Sequence, residues 1–320
     1  MSMTIPEWSD APVLVVGDLM LDRFVQGAVR RISPEAPIPI VEVTGEHHTV
    51  GGAANVAHNI KALGGEVTLL GAVGQDRHGD ALRGLLLELG IEAGGVLGDP
   101  GRTTTVKTRI IAQHQQVVRV DREVREPLGN ELWATLETQI RKCLPSHRAL
   151  VVSDYAKGVF TPARLQVVGN LAREARIPYV VDPKPAHFPY PGATVVTPNR
   201  QEAAGFYGRI FATVELVRVA ADLFGRTDWD SILFTLGEEG MVLANKDGFL
   251  EQIPAQVREV YDVTGAGDTV VATLALALAA RVPIRDAARL ANAAAGVVVG
   301  KTGTAVCTAQ ELAEALRVAP

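Results

Sequence analysis

Short runs of apolar and β-branched residues alternate along the chain with longer stretches rich in alanine and leucine. Several runs are continuously apolar, which is typical of strands covered by helices on both faces of a sheet. The predicted strands include Val13–Val16, Val67–Leu70, Leu150–Ser153, Tyr179–Asp182, Thr194–Thr197 and Ile232–Thr235. The predicted helices include Ala53–Leu63, Gly79–Leu89, Leu132–Cys143 and Pro162–Arg173. This alternation predicts an α/β fold, with a mostly parallel central sheet flanked by helices and ligands bound beyond the carboxyl ends of its strands.

Two stretches depart from this pattern. Residues 23–43 contain three prolines close together, which disfavour helix and favour an extended or edge strand. Residues 103–121 are rich in threonine, valine and isoleucine and show no helical period. We expect both stretches to form a small β-sheet lid. No linker or repeat divides the chain, so the sequence predicts one domain over residues 1–320 with this lid as an excursion.

Composition and charge narrow the class of protein. Of the 320 residues 47% are hydrophobic and 21% charged, the formal net charge is −5, and no run of lysine or arginine favours a nucleic-acid partner. The N-terminus lacks a cationic apolar leader, and the longest apolar stretch, Val270 to Ala280, is too short to span a bilayer. We therefore expect a cytoplasmic protein without a membrane partner. The distant Cys143 and Cys307 predict reduced thiols.

The most informative run occupies residues 262–268 and reads Asp-Val-Thr-Gly-Ala-Gly-Asp, followed by an apolar helical stretch. Gly265, Ala266 and Gly267 leave backbone N–H groups uncovered at a helix start, where the helix dipole adds positive potential. This combination predicts an anion hole for a transferring phosphoryl group. Asp268, in the first helical turn, can accept the proton of an attacking hydroxyl as general base. The alternative is a plain helix N-terminus.

Two other nucleotide motifs are excluded. Residues 300–302, Gly-Lys-Thr, resemble the end of a P-loop, but Ala295 stands at the first glycine position and the segment continues a helical stretch. Val13–Gly17 is not followed by the glycine pattern of dinucleotide-binding folds.

Four motifs together resemble those of the ribokinase-like carbohydrate kinases. They are Gly-Gly-Ala-Ala-Asn-Val-Ala at 51–57, Asn-Arg-Gln-Glu at 199–202, Thr-Leu-Gly-Glu-Glu-Gly at 235–240, and the run at 262–268. They occur in the family's order over essentially the whole chain. The resemblance implies an ATP-dependent sugar kinase that uses Mg²⁺. It also implies a homodimer, formed by pairing lid strands near residues 23–43 and 103–121.

A narrower resemblance is to the heptose-7-phosphate kinases of lipopolysaccharide-core biosynthesis. It rests on Gly-Asp-Leu-Met-Leu-Asp-Arg at 17–23, Arg-Ile-Ser-Pro-Glu-Ala-Pro at 31–37, Ser-Asp-Tyr-Ala-Lys-Gly at 153–158 and Asp-Pro-Lys at 182–184. It implies ATP-dependent phosphorylation of the anomeric hydroxyl of D-glycero-D-manno-heptose 7-phosphate to the 1,7-bisphosphate. Many of these kinases carry a C-terminal nucleotidyltransferase, so the chain resembles the stand-alone form.

For the sugar, the resemblance implies binding by four residues near the N-terminus. Asp18 would accept hydrogen bonds from sugar hydroxyls, Gly51 and Gly52 would allow close backbone approach, and Asn55 would offer a donor and an acceptor. Asp22 is expected to be a turn residue.

For ATP and metals, the resemblance implies a second set of positions. The nucleotide residues would be Thr235, Gly237, Gly240 and, at the adenine, Asn292. Asn199 and Glu202, three residues apart, would hold Mg²⁺ through waters, the alternative being a helix cap. Asp262 and Thr264 match positions that line a monovalent-cation site in parts of the family, with K⁺ as the candidate ion.

A substrate that already carries a phosphate needs cations to bind it. Lys184 and Arg109 are predicted first, Lys157 next, and Lys107 lies on the same strand face as Arg109. The alternative is that these are solvated surface cations.

Two other functions are consistent with these motifs. One is a kinase for another sugar or sugar phosphate, such as ribose, fructose or fructose 6-phosphate. The other is a non-catalytic sugar-binding regulator, against which the intact Asp268 argues because a binding module needs no base.

Overall fold

The structure, a computed structural model, describes residues 5–113, 115–256, 261–301 and 303–318, the side chain of Val318 excepted. The strands within these residues are β1 (Val13–Ile32), β2 (Pro39–Gly52), β3 (Val67–Gly74), β4 (Val96–Asp99), β5 (Thr105–Ala112), β6 (Gln115–Arg122), β7 (Ala149–Ser153), β8 (Tyr179–Asp182), β9 (Val195–Val196), β10 (Ser231–Thr235), β11 (Met241–Asn245) and β12 (Leu250–Ile253). The helices are α1 (Ala53–Ala62), α2 (Arg77–Glu88), α3 (Asn130–Cys143), α4 (Pro162–Ala175), α5 (Arg200–Tyr207), α6 (Leu216–Arg226), α7 (Ala266–Ala279), α8 (Ile284–Val299) and α9 (Ala309–Val318).

The larger sheet has the strand order β12-β11-β10-β9-β8-β7-β1-β3-β4. Its strands from β10 to β4 run parallel, whereas β11 and β12 form an antiparallel edge beside β10. The predicted mostly parallel sheet is therefore confirmed. The antiparallel edge was not predicted.

Alternate residues of the central strands face opposite helical layers. Val13 and Val15 pack in a cluster with α1, α2, α7 and α8, whereas Leu14 and Val16 pack with α3 to α6 on the other face. All four side chains are fully buried. Because both faces of the sheet are covered, apolar residues follow one another along each strand without polar interruptions.

Beyond Asp18, strand β1 leaves the larger sheet and continues to Ile32 in a second, smaller sheet. There it pairs antiparallel with β2 and parallel with β5, and β5 pairs with β6. We call residues 19–52 and 105–122 the lid sheet. The two predicted extended stretches, 23–43 and 103–121, fall mainly on its strands, apart from His114, which lies outside the described residues.

The predicted helices agree with the structure to within two residues at either end. Helix α2 begins earlier than predicted because the Asp76 side chain accepts hydrogen bonds from the backbone N–H groups of His78 and Gly79, which caps the helix. No helix of the described residues is long and apolar enough to cross a membrane. Of the rejected P-loop segment, Gly300 follows α8 directly, and Thr302 lies outside the described residues.

Candidate active site

Buried acids collect where the parallel strands of the larger sheet end. Asp18 lies where β1 leaves that sheet, Asp154 follows β7, and Asp182 ends β8. Asp268 faces the same region from the first turn of α7. Burial raises the pKa of Asp182 well above its usual range, and the Asp268 charge adds to that shift. This cluster occupies the edge at which a parallel sheet is expected to bind ligands.

Asp268 is held from two sides. Its Oδ2 accepts a hydrogen bond of 2.7 Å from Asn55 Nδ2, on α1, and its Oδ1 accepts one of 2.7 Å from the Tyr155 hydroxyl. The side chain is only 6% exposed. Burial raises the pKa of Asp268, while the two hydrogen bonds act in the opposite direction. The carboxylate is thus oriented by fixed donors in a site from which water is largely excluded.

The predicted anion hole lies at the start of α7. Gly265 caps the helix with φ of +81°, and a Cβ there would lie 2.9 Å from Asn55 Nδ2, so glycine suits both the turn and the contact. The Ala266 N–H already donates to the Val263 carbonyl oxygen at 3.2 Å, which removes one of the predicted donors. Gly267 lies in the first turn, where N–H groups have no intrahelical acceptor, and a Cβ there would meet nothing within 4 Å. Binding of a phosphate group by the remaining amides stays a prediction.

Tyr155 is a site residue that the sequence reasoning missed, although its motif was noted. It follows β7, and the ammonium groups of two lysines lie near its ring. Lys107 Nζ of the lid sheet lies 5.3 Å from the ring centroid, and Lys184 Nζ lies 5.1 Å from it. Burial raises the pKa of Tyr155 well above its usual range, and the Asp268 charge adds to the shift, so the phenol stays a donor.

Asp18 is buried and accepts from backbone amides, and its role in binding sugar hydroxyls stays a prediction. Its Oδ2 accepts from the backbone N–H groups of Tyr155 and Lys157 at 2.8 and 3.1 Å, and its Oδ1 accepts from that of Val159 at 3.1 Å. It is 1% exposed, and burial raises its pKa to about 6. Asp18 therefore fixes the loop that carries Tyr155.

Asp22 lies in strand β1, so the expectation of a turn residue is wrong. It is buried, its Oδ1 lies 2.5 Å from Arg109 Nη1, and a Cβ on Gly51 would lie 2.6 Å from its Oδ2. Gly52 follows Gly51 at the end of β2, directly before α1 and Asn55. Of the two predicted sugar-side glycines, Gly51 thus lies against a carboxylate that sequence reasoning overlooked. The sequence signal for Asp22 was its spacing of four residues from Asp18, because residues four apart in a continuous strand lie on the same face.

Three of the four predicted phosphate-binding cations are paired with carboxylates. The pairs are Arg109–Asp22, Lys157–Glu123 and Lys184–Glu202. Lys107, in contrast, has no carboxylate partner within the described parts of the chain. Burial lowers the pKa of Lys107. A cation that is partly desolvated and unpaired is the one that gains most from an incoming anion.

Asn199 and Glu202 form a capping box at the start of α5. The Asn199 side chain accepts from the Glu202 N–H at 2.9 Å, and Glu202 Oε2 accepts from the Asn199 N–H at 2.9 Å. Asn199 and Glu202 therefore form the helix cap that the sequence left open as the alternative. No group of three or more histidine, cysteine or acidic side chains in the described ranges is arranged to hold a metal. A role in holding Mg²⁺ through waters stays a prediction.

The predicted nucleotide residues lie away from the sugar side, at the end of β10 and on α8. Thr235 ends β10, and Gly237 opens a short 3₁₀ turn that leads to Gly240. At Gly240, φ is +82° and a Cβ would lie 2.2 Å from a carbonyl oxygen of β12, so the turn requires glycine. Asn292 is 4% exposed and donates from Nδ2 to the Pro254 carbonyl oxygen at 2.9 Å. Contact of these residues with ATP stays a prediction.

Asp262 and Thr264 form a local turn. Asp262 Oδ1 accepts from the Thr264 N–H at 2.9 Å, and its Oδ2 accepts from the Gly303 N–H at 3.1 Å. The carboxylate thus ties the segment before α7 to the segment after α8. Whether the pair also lines a K⁺ site stays a prediction.

A buried carboxylate beside backbone amides at a helix start, on an α/β sheet with a lid, is the arrangement expected of a phosphotransferase acting on a hydroxyl. Residues 10–311 match the family model described as pfkB family carbohydrate kinase. The chain belongs to the pfkB family of carbohydrate kinases, and is an ATP-dependent sugar kinase.

Two relatives by sequence are bifunctional proteins named HldE. The chain is 46% identical over 307 residues to the bifunctional protein HldE of Paramagnetospirillum magneticum, covering 95% of this chain and 63% of that protein. It is 44% identical over 318 residues to that of Pseudomonas aeruginosa, covering 99% of this chain and 66% of that protein. The chain therefore spans about two thirds or less of the length of these relatives.

Solved structures share the fold. The phosphofructokinase-2 of Escherichia coli in complex with substrates and products superimposes with a TM-score of 0.80 at 20% identity, covering 96% of this chain and 98% of that chain. Ribokinase of Arabidopsis thaliana, complexed with ribose and ATP, gives a TM-score of 0.77 at 18% identity, covering 97% of this chain and 99% of that chain. The predicted ribokinase-like fold is confirmed.

Proposed function

We propose that this kinase phosphorylates the anomeric hydroxyl of D-glycero-D-manno-heptose 7-phosphate, giving the 1,7-bisphosphate on the route to ADP-heptose and the lipopolysaccharide core. The observation that carries the proposal is the buried Asp268 carboxylate, lying beside Tyr155 and the unpaired cation Lys107. The heptose assignment is supported by the motifs at 17–23, 31–37, 153–158 and 182–184, and by the similarity to HldE proteins.

In the proposed reaction Asp268 accepts the proton of the anomeric hydroxyl. That oxygen bonds to the γ-phosphorus of ATP, and the bond from the γ-phosphorus to the bridging oxygen breaks to release ADP. The free amides of the first turn of α7 stabilise the negative charge on the transferring group. A divalent cation, when bound, neutralises part of the phosphate charge.

Lys107 is the proposed contact of the 7-phosphate. The sequence favoured Lys184 and Arg109, but their carboxylate partners already neutralise them, and the same holds for Lys157. Lys107 lies on the lid sheet near Tyr155, so a phosphate bound there would lie at the far end of a sugar whose anomeric oxygen faces Asp268. An anion would also relieve the desolvation that lowers the pKa of Lys107.

The lid sheet is the proposed dimer interface. Its strand β6 pairs with β5 alone among the described residues, and every residue of β6 is exposed. Val118 and Val120 are 45% and 55% exposed, and Ile38 and Val43, on the other edge, are 56% and 61% exposed. A second copy of this chain would cover these apolar side chains and the unpaired strand edge.

The activity is tested by replacing Asp268 with asparagine. The amide is nearly isosteric but cannot take up the hydroxyl proton, so kcat should fall by about 10²–10⁴-fold while the fold is kept. A coupled ADP-release assay should compare heptose 7-phosphate, mannose, ribose and fructose 6-phosphate, with heptose 7-phosphate turned over best. Asp10→Asn, at an exposed position, is the matched control. Near-wild-type turnover by a folded Asp268→Asn protein would remove Asp268 from the mechanism.

The phosphate contact is tested by Lys107→Ala. A charge-assisted contact contributes about 1.5–3 kcal/mol, so kcat/KM for heptose 7-phosphate should fall by about 10- to 150-fold. Residual turnover of an unphosphorylated sugar should fall much less, because that substrate has no phosphate to bind and is affected only through the contact of Lys107 with the Tyr155 ring. Lys142→Ala, on the exposed face of α3, is the control. Equal losses on both substrates would show that Lys107 supports the fold or the ATP phosphates instead.

The dimer is tested by light scattering at micromolar concentration, which should give twice the mass of the chain. The double variant Ile38→Asp with Val120→Asp should give a monomer, since it places charge on both proposed contact edges. Val217→Asp, at a 65% exposed position on α6, is the control and should stay dimeric. A wild-type monomer with full activity would contradict the proposal.

A further inference from the structure

Among the residues that the structure describes, the hydroxyl of Tyr155 makes one hydrogen bond, to the carboxylate of the proposed base. We propose that Tyr155 is a positioning residue, which orients Asp268 for proton transfer and connects the base to the lid sheet through Lys107. This inference rests on the proposed role of Asp268 in phosphoryl transfer.

Two donors on two different elements fix the plane of the Asp268 carboxylate. Asn55, on α1, holds Oδ2 and Tyr155, after β7, holds Oδ1, each at 2.7 Å. Each carboxylate oxygen can accept more than one hydrogen bond, so a sugar hydroxyl can be received without displacing either donor. The base is therefore oriented before the substrate arrives, which lowers the reorganisation that the reaction requires.

Tyr155 is itself held at three points. Its backbone N–H donates to Asp18 Oδ2 at 2.8 Å, and the ammonium groups of Lys107 and Lys184 lie about equally far from its ring, at 5.3 and 5.1 Å from the centroid. Such cation–ring contacts hold an aromatic side chain in place. Because Lys107 belongs to β5, the position of the lid sheet affects the position of the Tyr155 hydroxyl, which in turn holds the Asp268 carboxylate.

A purely structural tyrosine would not need its hydroxyl at this position. Phenylalanine would keep the ring between Lys107 and Lys184 and would lose only the bond to Asp268. Tyr155→Phe therefore removes the positioning contact while leaving the packing nearly unchanged.

The charges around Asp268 determine the sign of the expected change. Burial raises the pKa of Asp268, the hydrogen bonds from Asn55 and Tyr155 lower it, the Asp22 charge raises it and the Lys107 charge lowers it. The acids Asp182 and Glu202 and the cation Lys184 also lie near Tyr155, and the substitution leaves their charges in place. Loss of the hydroxyl removes a lowering contribution, so the pKa of Asp268 rises. The base must be ionised, so activity is lost first on the acid side.

The test compares the pH profiles of kcat/KM for wild type, Tyr155→Phe and Tyr179→Phe. The acid limb of Tyr155→Phe should move to higher pH by about one unit or more, as expected for loss of a charge-assisted hydrogen bond. Tyr179 is the matched control, because it is fully buried at the amino end of β8 and its hydroxyl has no partner among the described residues. Its acid limb should superimpose on that of wild type.

A second readout needs no substrate. The carboxyl ¹³C resonance of Asp268, assigned by its absence in Asp268→Asn, should titrate at higher pH in Tyr155→Phe and in Asn55→Ser than in wild type. An unshifted resonance and an unshifted acid limb in folded Tyr155→Phe would overturn the inference. If heptose 7-phosphate proves not to be the substrate, the pH profile is read on the sugar that is turned over and the resonance is read without any sugar. Failure of the heptose assignment is thus distinguishable from failure of this inference.

Discussion

A carboxylate that is to accept a proton during phosphoryl transfer must be shielded from water and yet stay charged, and Asp268 is both buried and held by hydrogen-bond donors. Burial alone raises the pKa of Asp268 and so favours its protonated form. Donors from α1 and from the loop after β7 oppose that effect, and the start of α7 adds its dipole. Gly265 fits this arrangement because a side chain there would collide with Asn55.

Strand β1 connects the larger sheet to the lid sheet. By running from the larger sheet into the lid sheet, β1 carries Asp18 at the junction and Asp22 four residues later, while β5 beside it carries Lys107 and Arg109. Asp18 uses its carboxylate to fix the loop that bears Tyr155, and Asp22 neutralises Arg109. Lid and base are thereby parts of one hydrogen-bonded and charged network.

The sequence predicted the parts of this protein whose signals are local. Continuous apolar runs located the central strands, and the run at 262–268 located the proposed base and the start of its helix, because each depends on residues adjacent in the chain. Side-chain partners were not predictable in this way. The pairing of Lys184 with Glu202, and the three backbone donors on Asp18, join segments far apart in sequence. Tyr155 stood inside a noted motif, but its contact with Asp268 exists only once α7 packs across β7 and β8.

The central claim is that the buried Asp268 faces an anomeric hydroxyl while the opposite end of the sugar meets the lid-sheet cation. ³¹P–¹H correlation NMR of the product formed from ATP and heptose 7-phosphate tests this directly, because it reports which carbon carries the new phosphate. The account predicts a second sugar phosphate coupled to the anomeric proton, with the original phosphate still at carbon 7. A new phosphate on any other carbon, or no new sugar phosphate at all, would contradict it.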